Sequence, residues 1–185
     1  DLIKNTPIED LPALGFIGLG HKFYNRGRLD VKAEEWAEQV DTLTRSLLGL
    51  TVACAQCHDH KYDAFTQKDY YALAGIFAST DLVDRMADGS EIKKDTEAAK
   101  KRIDTIHMVH DKKPQNLHVF LRGNTQTKGD IVPRRFLRVL SEGEPKPFTQ
   151  GTGRLELAEA CFAFLPVRAQ LDLEGWGETD IFAHS

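Results

Sequence analysis

The stretch that most constrains this chain joins a long amphipathic segment directly to a cluster of cysteine and histidine. Between Val31 and Leu50 the large apolar residues recur every three or four positions, the period of an amphipathic helix. These residues are Trp36, Val40, Leu43, Leu47 and Leu50. The sequence Cys-Ala-Gln-Cys-His, here called the pentad, follows at residues 54–58. The pentad is therefore predicted at the C-terminus of a helix or in the turn after it.

A second helix is predicted soon after the pentad. Thr66 and Asp69 have the spacing of a capping box, and an apolar face follows them. That face consists of Tyr70, Leu73, Ala74 and Phe77. A third, polar helix is predicted from Ser90 to about Asp104, with Ser90 as its cap.

The pattern changes near residue 106. The segments IHMVHD (106–111) and NLHVFLRG (116–123) alternate apolar and polar residues, which predicts two strands joined by a tight connection at Pro114. A short helix beginning at Pro133 and a last helix from Arg154 to Leu165 are also predicted.

We therefore predict a mainly α protein with a small β portion, in the α+β class. Helices surround the pentad, and a short strand region follows. The predicted division is a helical, cofactor-binding region over residues 1–105 and a strand-containing companion region with an irregular tail over 106–185.

Composition excludes several classes of function. The net charge is −4 and the basic residues are scattered, so we expect no nucleic-acid partner. No apolar run approaches the roughly 20 residues of a transmembrane helix. The three cysteines are too few for a disulfide framework. Cys161 is left without a pair, which allows an intermolecular disulfide or a buried thiol, and the buried thiol is favoured.

The pentad has the residues and the spacing of a covalent haem attachment site. Two thiols two residues apart can add to the two vinyl groups on one edge of a porphyrin. An imidazole directly after the second thiol supplies the proximal iron ligand from the same turn. We therefore predict one haem c on Cys54 and Cys57, with His58 bound to the iron.

The same residues allow other interpretations. Zinc is the alternative cofactor, bound by Cys54, Cys57 and a nearby histidine, with Cys161, His107 or His110 completing the site. A thioredoxin-like dithiol would need a strand before the cysteines, where the pattern is helical. Two buried cysteines without a chemical role remain the simplest alternative.

A haem iron also needs a sixth ligand or an open site. Met108 is the tentative distal ligand, and His110, His107 and Met86 are the alternatives. Sequence alone does not choose between them.

His60 follows the proximal histidine too closely to reach the other face of the haem. It is therefore predicted to support the site, by orienting a ligand, by binding a haem propionate, or as one end of a small polar cluster with Asp59 and Asp63. Lys61 is assigned to the same supporting set.

The segment LLGLTVACAQCHDHKYDAFTQKDYYALAGIFAST (47–80) resembles the central motif of the planctomycete cytochrome c-like domains, found in large exported proteins. The segments PQNLHVFLRGNTQTKGDIVPRRFLRVLSEGE (114–144) and GTGRLELA (151–158) resemble the start of a companion planctomycete domain of unknown function. The resemblance covers about residues 10–158 and implies haem and export but no substrate. The tail after residue 158 departs from the family pattern, as in a fragment with a divergent end.

Three functions follow, in order of preference. The first is a monohaem c-type cytochrome that exchanges electrons with a redox partner protein. The second is a non-catalytic assembly or binding module, part of a larger assembly, with haem or zinc as a structural element. The third is a haem enzyme or gas sensor with an open distal site. No hydrolase, phosphate-binding or metalloprotease motif is found, so no catalytic residues are predicted. Because haem attaches after export, a periplasmic or otherwise exported location is expected.

Overall fold

The computed structural model describes residues 13, 15–18, 27–86, 90 and 105–172, with the side chains of 107 and 165–172 left undescribed. Over these residues the chain is α+β, as predicted. The helices are α1 (Leu29–Leu43), α2 (Gln67–Ala78) and α3 (Arg154–Asp172). The strands are β1 (Thr80–Met86), β2 (Thr105–Asp111), β3 (Leu117–Phe120) and β4 (Lys128–Val132).

The predicted amphipathic helix is α1, and it changes pitch before it ends. A π-helical turn continues it over Thr44–Leu48, and Gly49 ends the turn in the left-handed conformation with φ +67°. A π turn places residues five apart on one face. Leu48 therefore follows Leu43 into the core, and Leu47 is 40% exposed. The prediction that Leu47 belongs to the apolar stripe was wrong for this reason.

Helix α2 is the centre of the fold. Its capping box is confirmed: Asp69 N–H donates to the Thr66 hydroxyl at 3.2 Å, and the Asp69 carboxylate accepts from Thr66 N–H at 2.9 Å. Every residue from Asp69 to Ala78 is buried, including the predicted apolar face. A helix buried on all sides needs neighbours all round, and α1, the pentad turn, β1 and β3 all pack against it.

The strand region contains two separate antiparallel pairs. β1 pairs with β2 from Thr80 opposite Asp111 to Met86 opposite Thr105, and β3 pairs with β4. The two strands predicted from alternation are confirmed as β2 and β3, yet they do not pair with each other. The segment around Pro114 is therefore a link between two sheets.

The segment after β4 is held by a buried ion pair. Arg135 Nη1 donates to the Asp69 carboxylate at 2.7 Å, and the side chains of Asp69 and Arg135 are 1% and 11% exposed. The backbone N–H of Arg138 donates to the same carboxylate oxygen at 3.2 Å. The predicted helix at Pro133 is absent: this segment is irregular until a 3₁₀ turn at Arg138–Leu140.

The C-terminal helix begins at Arg154, as predicted, and extends beyond Leu165 to Asp172. Its Leu157 and Cys161 join the same apolar core as α1, α2 and β3. The core thus draws side chains from both sides of residue 105, and the two-region division stays a prediction. Over the described residues no helix combines the length and the apolar composition needed to cross a membrane.

The predicted polar helix from Ser90 to Asp104 lies outside the described residues, apart from Ser90 itself.

Candidate functional site

The pentad lies in a short turn that is anchored in the core. Residues Val52–Gln56 form a 3₁₀ helix shortly after the extension of α1 ends at Leu48, in the predicted place. Val52 and Ala55 are fully buried, whereas Cys54 is exposed. Cys57, which ends the turn, is exposed as well. The turn therefore uses its apolar residues as an anchor and presents both thiols at the surface.

Two side chains of α2 hold this turn against the end of β3. Gln67 Nε2 donates to the carbonyl of Gln56 at 2.9 Å and to that of Phe120 at 3.3 Å. The Tyr71 hydroxyl donates to the same carbonyls at 3.2 and 3.4 Å. Burial raises the pKa of Tyr71 to about 12, so the hydroxyl remains a donor at neutral pH. The peptide between the two cysteines is thus fixed by contacts within the protein.

Gly123 brings the backbone after β3 against Cys57. It has φ +73°, and a Cβ atom placed on it would lie 2.6 Å from Cys57 Sγ. Only glycine combines that conformation with so close an approach. Sequence reasoning did not single out Gly123, although a glycine at the end of a strand pattern indicates such approaches.

His58 is exposed and has one ring nitrogen fixed by a hydrogen bond. Its Nδ1–H donates to the carbonyl of Asp59 at 2.6 Å. Because Nδ1 carries the proton, Nε2 keeps the lone pair that can bind a metal. The carboxylate of Asp59 in turn accepts from the N–H of Gln67, the first residue of α2, at 2.7 Å. The start of α2 therefore positions the carbonyl that orients His58.

His60 closes the loop that follows the pentad. Its Nδ1 accepts from the N–H of Asp63 at 2.9 Å and from that of Tyr62 at 3.3 Å. Because Nδ1 accepts, Nε2 carries the proton and donates to the Thr51 hydroxyl at 3.2 Å. These contacts lie within the protein, and the role of His60 in supporting a cofactor stays a prediction. Thr51 was not predicted.

The other supporting residues differ in what they touch. The Asp63 carboxylate lies 3.3 Å from His60 Nδ1 at the edge of the loop. Lys61 extends over the ring of Tyr62, 5.0 Å from its centroid, and Tyr62 is 82% exposed. Asp59 and Asp63 therefore contact the histidines, whereas Lys61 covers an exposed aromatic ring.

The predicted distal ligands all lie on the β1–β2 pair. Met108 faces Val83 across the ladder, His110 faces Asp81, and His107 faces Asp84. Met86 is the last residue of β1. The β1–β2 pair begins at Thr80, just after the C-terminus of α2. The pentad is instead hydrogen-bonded to side chains in the N-terminal half of α2. A helix of 12 residues spans about 18 Å. The site and the pair thus attach at opposite ends of α2, and the distal assignment stays a prediction.

His118 was missed by sequence reasoning. It lies on β3, and its Nδ1–H donates to the carbonyl of Gly129 at 2.8 Å. The lone pair is therefore on Nε2, as in His58. His118 has the tautomer of a metal ligand on the strand whose end contacts the pentad.

The predicted zinc site would need several side chains to converge on one point. Among the residues that the structure describes, no three histidine, cysteine or acidic side chains converge as metal ligands. Covalent haem needs no such convergence, because its thiols bind carbon and only the imidazole binds the metal. Cys161 is 2% exposed, and burial raises the pKa of its thiol to about 11, so the predicted buried thiol is confirmed.

The N-terminal part of the chain is similar to a known family. The family model PSCyt2, described as a protein of unknown function (DUF1549), matches residues 1–82. That range includes α1, the pentad and α2. Comparisons with curated proteins and with solved structures gave no match.

Proposed function

We propose that this protein is a monohaem c-type cytochrome that acts in electron transfer. Cys54 and Cys57 would hold the haem, and His58 would bind its iron. The observation that carries the proposal is the 2.6 Å hydrogen bond from His58 Nδ1 to the carbonyl of Asp59. It leaves Nε2 available beside two exposed thiols on one anchored turn. A metal-binding histidine commonly has its other ring nitrogen bonded in this way.

Attachment would be an addition without net oxidation. The sulfurs of Cys54 and Cys57 would each bond to the inner carbon of a vinyl group, and each thiol hydrogen would go to the outer carbon. No atoms leave, so the chain gains the full mass of one haem. When bound, the haem supplies an iron that alternates between the ferrous and ferric states.

The exposure of the attachment turn suits exchange with another protein. Cys54, Cys57 and His58 are all at the surface, so a redox partner has access to this part of the chain. We place the protein in the periplasm or otherwise outside the cytoplasm, because covalent attachment follows export. The resemblance to large exported proteins supports the same location.

The test is expression in a periplasm that contains a haem-attachment system. Wild type is compared with Cys54→Ala, Cys57→Ala and, as the matched control, Cys161→Ala. We expect wild type and Cys161→Ala to gain one haem mass after denaturation and to show sharp reduced bands. Cys54→Ala and Cys57→Ala should each lose at least one thioether bond.

A colourless wild-type chain of bare polypeptide mass overturns the proposal. Zinc retained by that chain, and lost in Cys54→Ala, would instead support the structural module. For a loaded protein, carbon monoxide binding distinguishes an open distal site from one closed by a protein ligand.

A further inference from the structure

Arg122 has a backbone conformation that its residue type does not favour. Its φ is +55° and its ψ is +29°, and in the described part of the chain it is the one non-glycine residue with positive φ. Gly123 follows with φ +73°, and Asn124 N–H donates to the carbonyl of Leu121 at 3.1 Å. Two left-handed central residues closed by this hydrogen bond form a type I′ turn. Asparagine, aspartate and glycine are favoured in such turns, so arginine at this position goes against the local preference.

No contact of the Arg122 side chain within the fold accounts for the arginine. The residue is exposed, and among the residues that the structure describes its guanidinium has no hydrogen-bond or ion-pair partner. By contrast, the exposed Arg45 binds the Asp41 carboxylate through Nε at 2.7 Å. The Asp59 carboxylate, next to the pentad, accepts from the N–H of Gln67. A strained conformation that no internal contact compensates indicates a role outside the fold.

The turn places Arg122 beside the second thiol of the pentad. Gly123 is its direct neighbour, and a Cβ atom placed on Gly123 would lie 2.6 Å from Cys57 Sγ. Consecutive Cα atoms are about 3.8 Å apart, so the backbone of Arg122 is one residue from contact with Cys57. The Cys57 thiol is exposed as well. Two adjoining backbone segments thus carry an exposed arginine and an exposed thiol.

We propose that Arg122 is an anion-recognition residue beside the pentad and receives a carboxylate of the redox partner. The inference rests on the proposed function, in which the partner approaches the exposed pentad. A guanidinium binds a carboxylate through two parallel hydrogen bonds. An exposed charge without an internal partner also steers a protein of opposite charge. The partner therefore carries an acidic side chain on the surface that meets Cys57.

The first experiment uses the complete haem-free chain and compares two alkylating reagents at each thiol. Iodoacetate carries a carboxylate and iodoacetamide is neutral, so the ratio of their rates cancels differences in the exposure and ionisation of the thiol. Cys54 is the internal reference. The variants are Arg122→Asn, which suits the turn, Arg122→Gln, which removes only the charge, and Arg122→Lys, which keeps it. Arg45→Gln is the matched control, because Arg45 is an exposed arginine with a carboxylate partner of its own.

We expect the iodoacetate-to-iodoacetamide ratio at Cys57 to fall about two- to fivefold in Arg122→Asn and Arg122→Gln, the range of an exposed ion pair. Arg122→Lys and Arg45→Gln should keep the wild-type ratio at Cys57. The fall should shrink in about 1 M salt, where the screening length is about 3 Å. An unchanged ratio at Cys57, or an equal fall at Cys54, would overturn the inference.

Urea unfolding of Arg122→Asn separates recognition from stability. Because asparagine suits the turn, this variant should unfold at the same urea concentration as wild type or at a higher one. A lower unfolding midpoint would overturn the inference, since the arginine would then serve the fold.

The second experiment tests the assignment to the partner on the haem-loaded protein. Ferrous wild type and Arg122→Asn each give one electron to ferricyanide, an anion, or to a cationic cobalt(III) complex. We expect Arg122→Asn to react severalfold more slowly with ferricyanide alone. Equal ferricyanide rates for the two proteins would overturn the assignment to the partner, as expected if the haem's own carboxylates occupy Arg122. If wild type acquires no haem, the proposed function fails, and the alkylation ratio still decides whether Arg122 recognises anions.

Discussion

The Nε2 atom of His60 lies 3.2 Å from the hydroxyl oxygen of Thr51, so a hydrogen bond joins the residues on either side of the pentad. Nδ1 of the same ring accepts hydrogen bonds from the N–H groups of Tyr62 and Asp63. Together these three hydrogen bonds fix the loop from Thr51 to Asp63. The turn that carries the pentad is thus held in shape by contacts within the protein. In the proposed cytochrome, such preorganisation would lower the cost of placing two thiols and an imidazole on one haem.

Replacement of His60 by alanine should loosen this loop. The N–H groups of Tyr62 and Asp63 and the hydroxyl of Thr51 lose their partner, which we expect to cost about 1–2 kcal/mol. Urea unfolding measures the change in the global free energy of unfolding. Hydrogen exchange at the amides of Tyr62 and Asp63 measures the local loosening of the loop. Tyr62→Ala is the control, because Tyr62 is 82% exposed and should change stability by less than about 0.5 kcal/mol. Unchanged amide protection in His60→Ala would contradict the closing role of His60.

The ion pair between Asp69 and Arg135 should dominate the stability of the segment after β4. Asp69→Asn leaves a buried guanidinium without its counter-ion, which we expect to cost about 3 kcal/mol. Asp130→Asn removes the exposed partner of Lys68 and should cost at most about 1 kcal/mol. Urea unfolding measures both losses of unfolding free energy. Equal losses in Asp69→Asn and Asp130→Asn would show that the buried Asp69–Arg135 pair contributes no more to stability than the exposed Lys68–Asp130 pair.

The stability lost in Asp69→Asn should depend on pH, because the Asp69 carboxylate titrates. Burial alone would raise the pKa of Asp69, but hydrogen bonds from Thr66, Arg135 and Arg138 hold it below its ordinary value of 3.8. The group therefore stabilises the fold fully above about pH 4, and this contribution is lost as the pH falls toward the folded pKa. The difference in unfolding free energy between wild type and Asp69→Asn should be smaller at pH 3 than at pH 6.

Local signals predicted much of the fold and of the site. The capping box at Thr66 and the pentad after α1 depend on neighbours in sequence, so both were found where expected. The pairing of β2 with β1 depends on distant contacts, and the TDLVDRM segment of β1 has no clear alternation of its own. Likewise, the role of His60 requires Thr51 nine residues earlier, and Cys57 meets Gly123 only through the fold.

The π-helical turn predicts opposite results for two adjacent leucines. Leu48 is 1% exposed and Leu47 is 40% exposed, although the helical period favours Leu47 for the core. We expect Leu48→Ala to cost about 2–5 kcal/mol, as for other buried leucines, and Leu47→Ala to cost about 0.5 kcal/mol or less. Thermal or urea unfolding of the two variants compares the same chemical change at adjacent positions. A larger loss for Leu47→Ala would contradict the π-helical register.

The three thiols should differ in reactivity. Cys54 and Cys57 are exposed, whereas Cys161 is buried and burial raises its pKa to about 11. Because the thiolate is the reactive form, iodoacetamide at pH 8 should label two cysteines in the folded apoprotein and all three after denaturation. Peptide mass spectrometry identifies the labelled residues. Rapid labelling of Cys161 in the folded chain would contradict its place in the core.

The contact between Gly123 and Cys57 can be separated from backbone strain by two alanine variants. Gly123 and Gly143 both have positive φ, +73° and +86°, but nothing lies within 4 Å of the position of a Cβ at Gly143. Gly143→Ala should therefore show only the conformational cost of about 1–2 kcal/mol. Gly123→Ala should show a similar cost and also displace the exposed Cys57 side chain, because its new Cβ would lie 2.6 Å from Sγ. We expect the ratio of iodoacetamide rates at Cys57 and Cys54 to change severalfold in Gly123→Ala alone. The same ratio in both variants would mean that Gly123 does not position the second thiol.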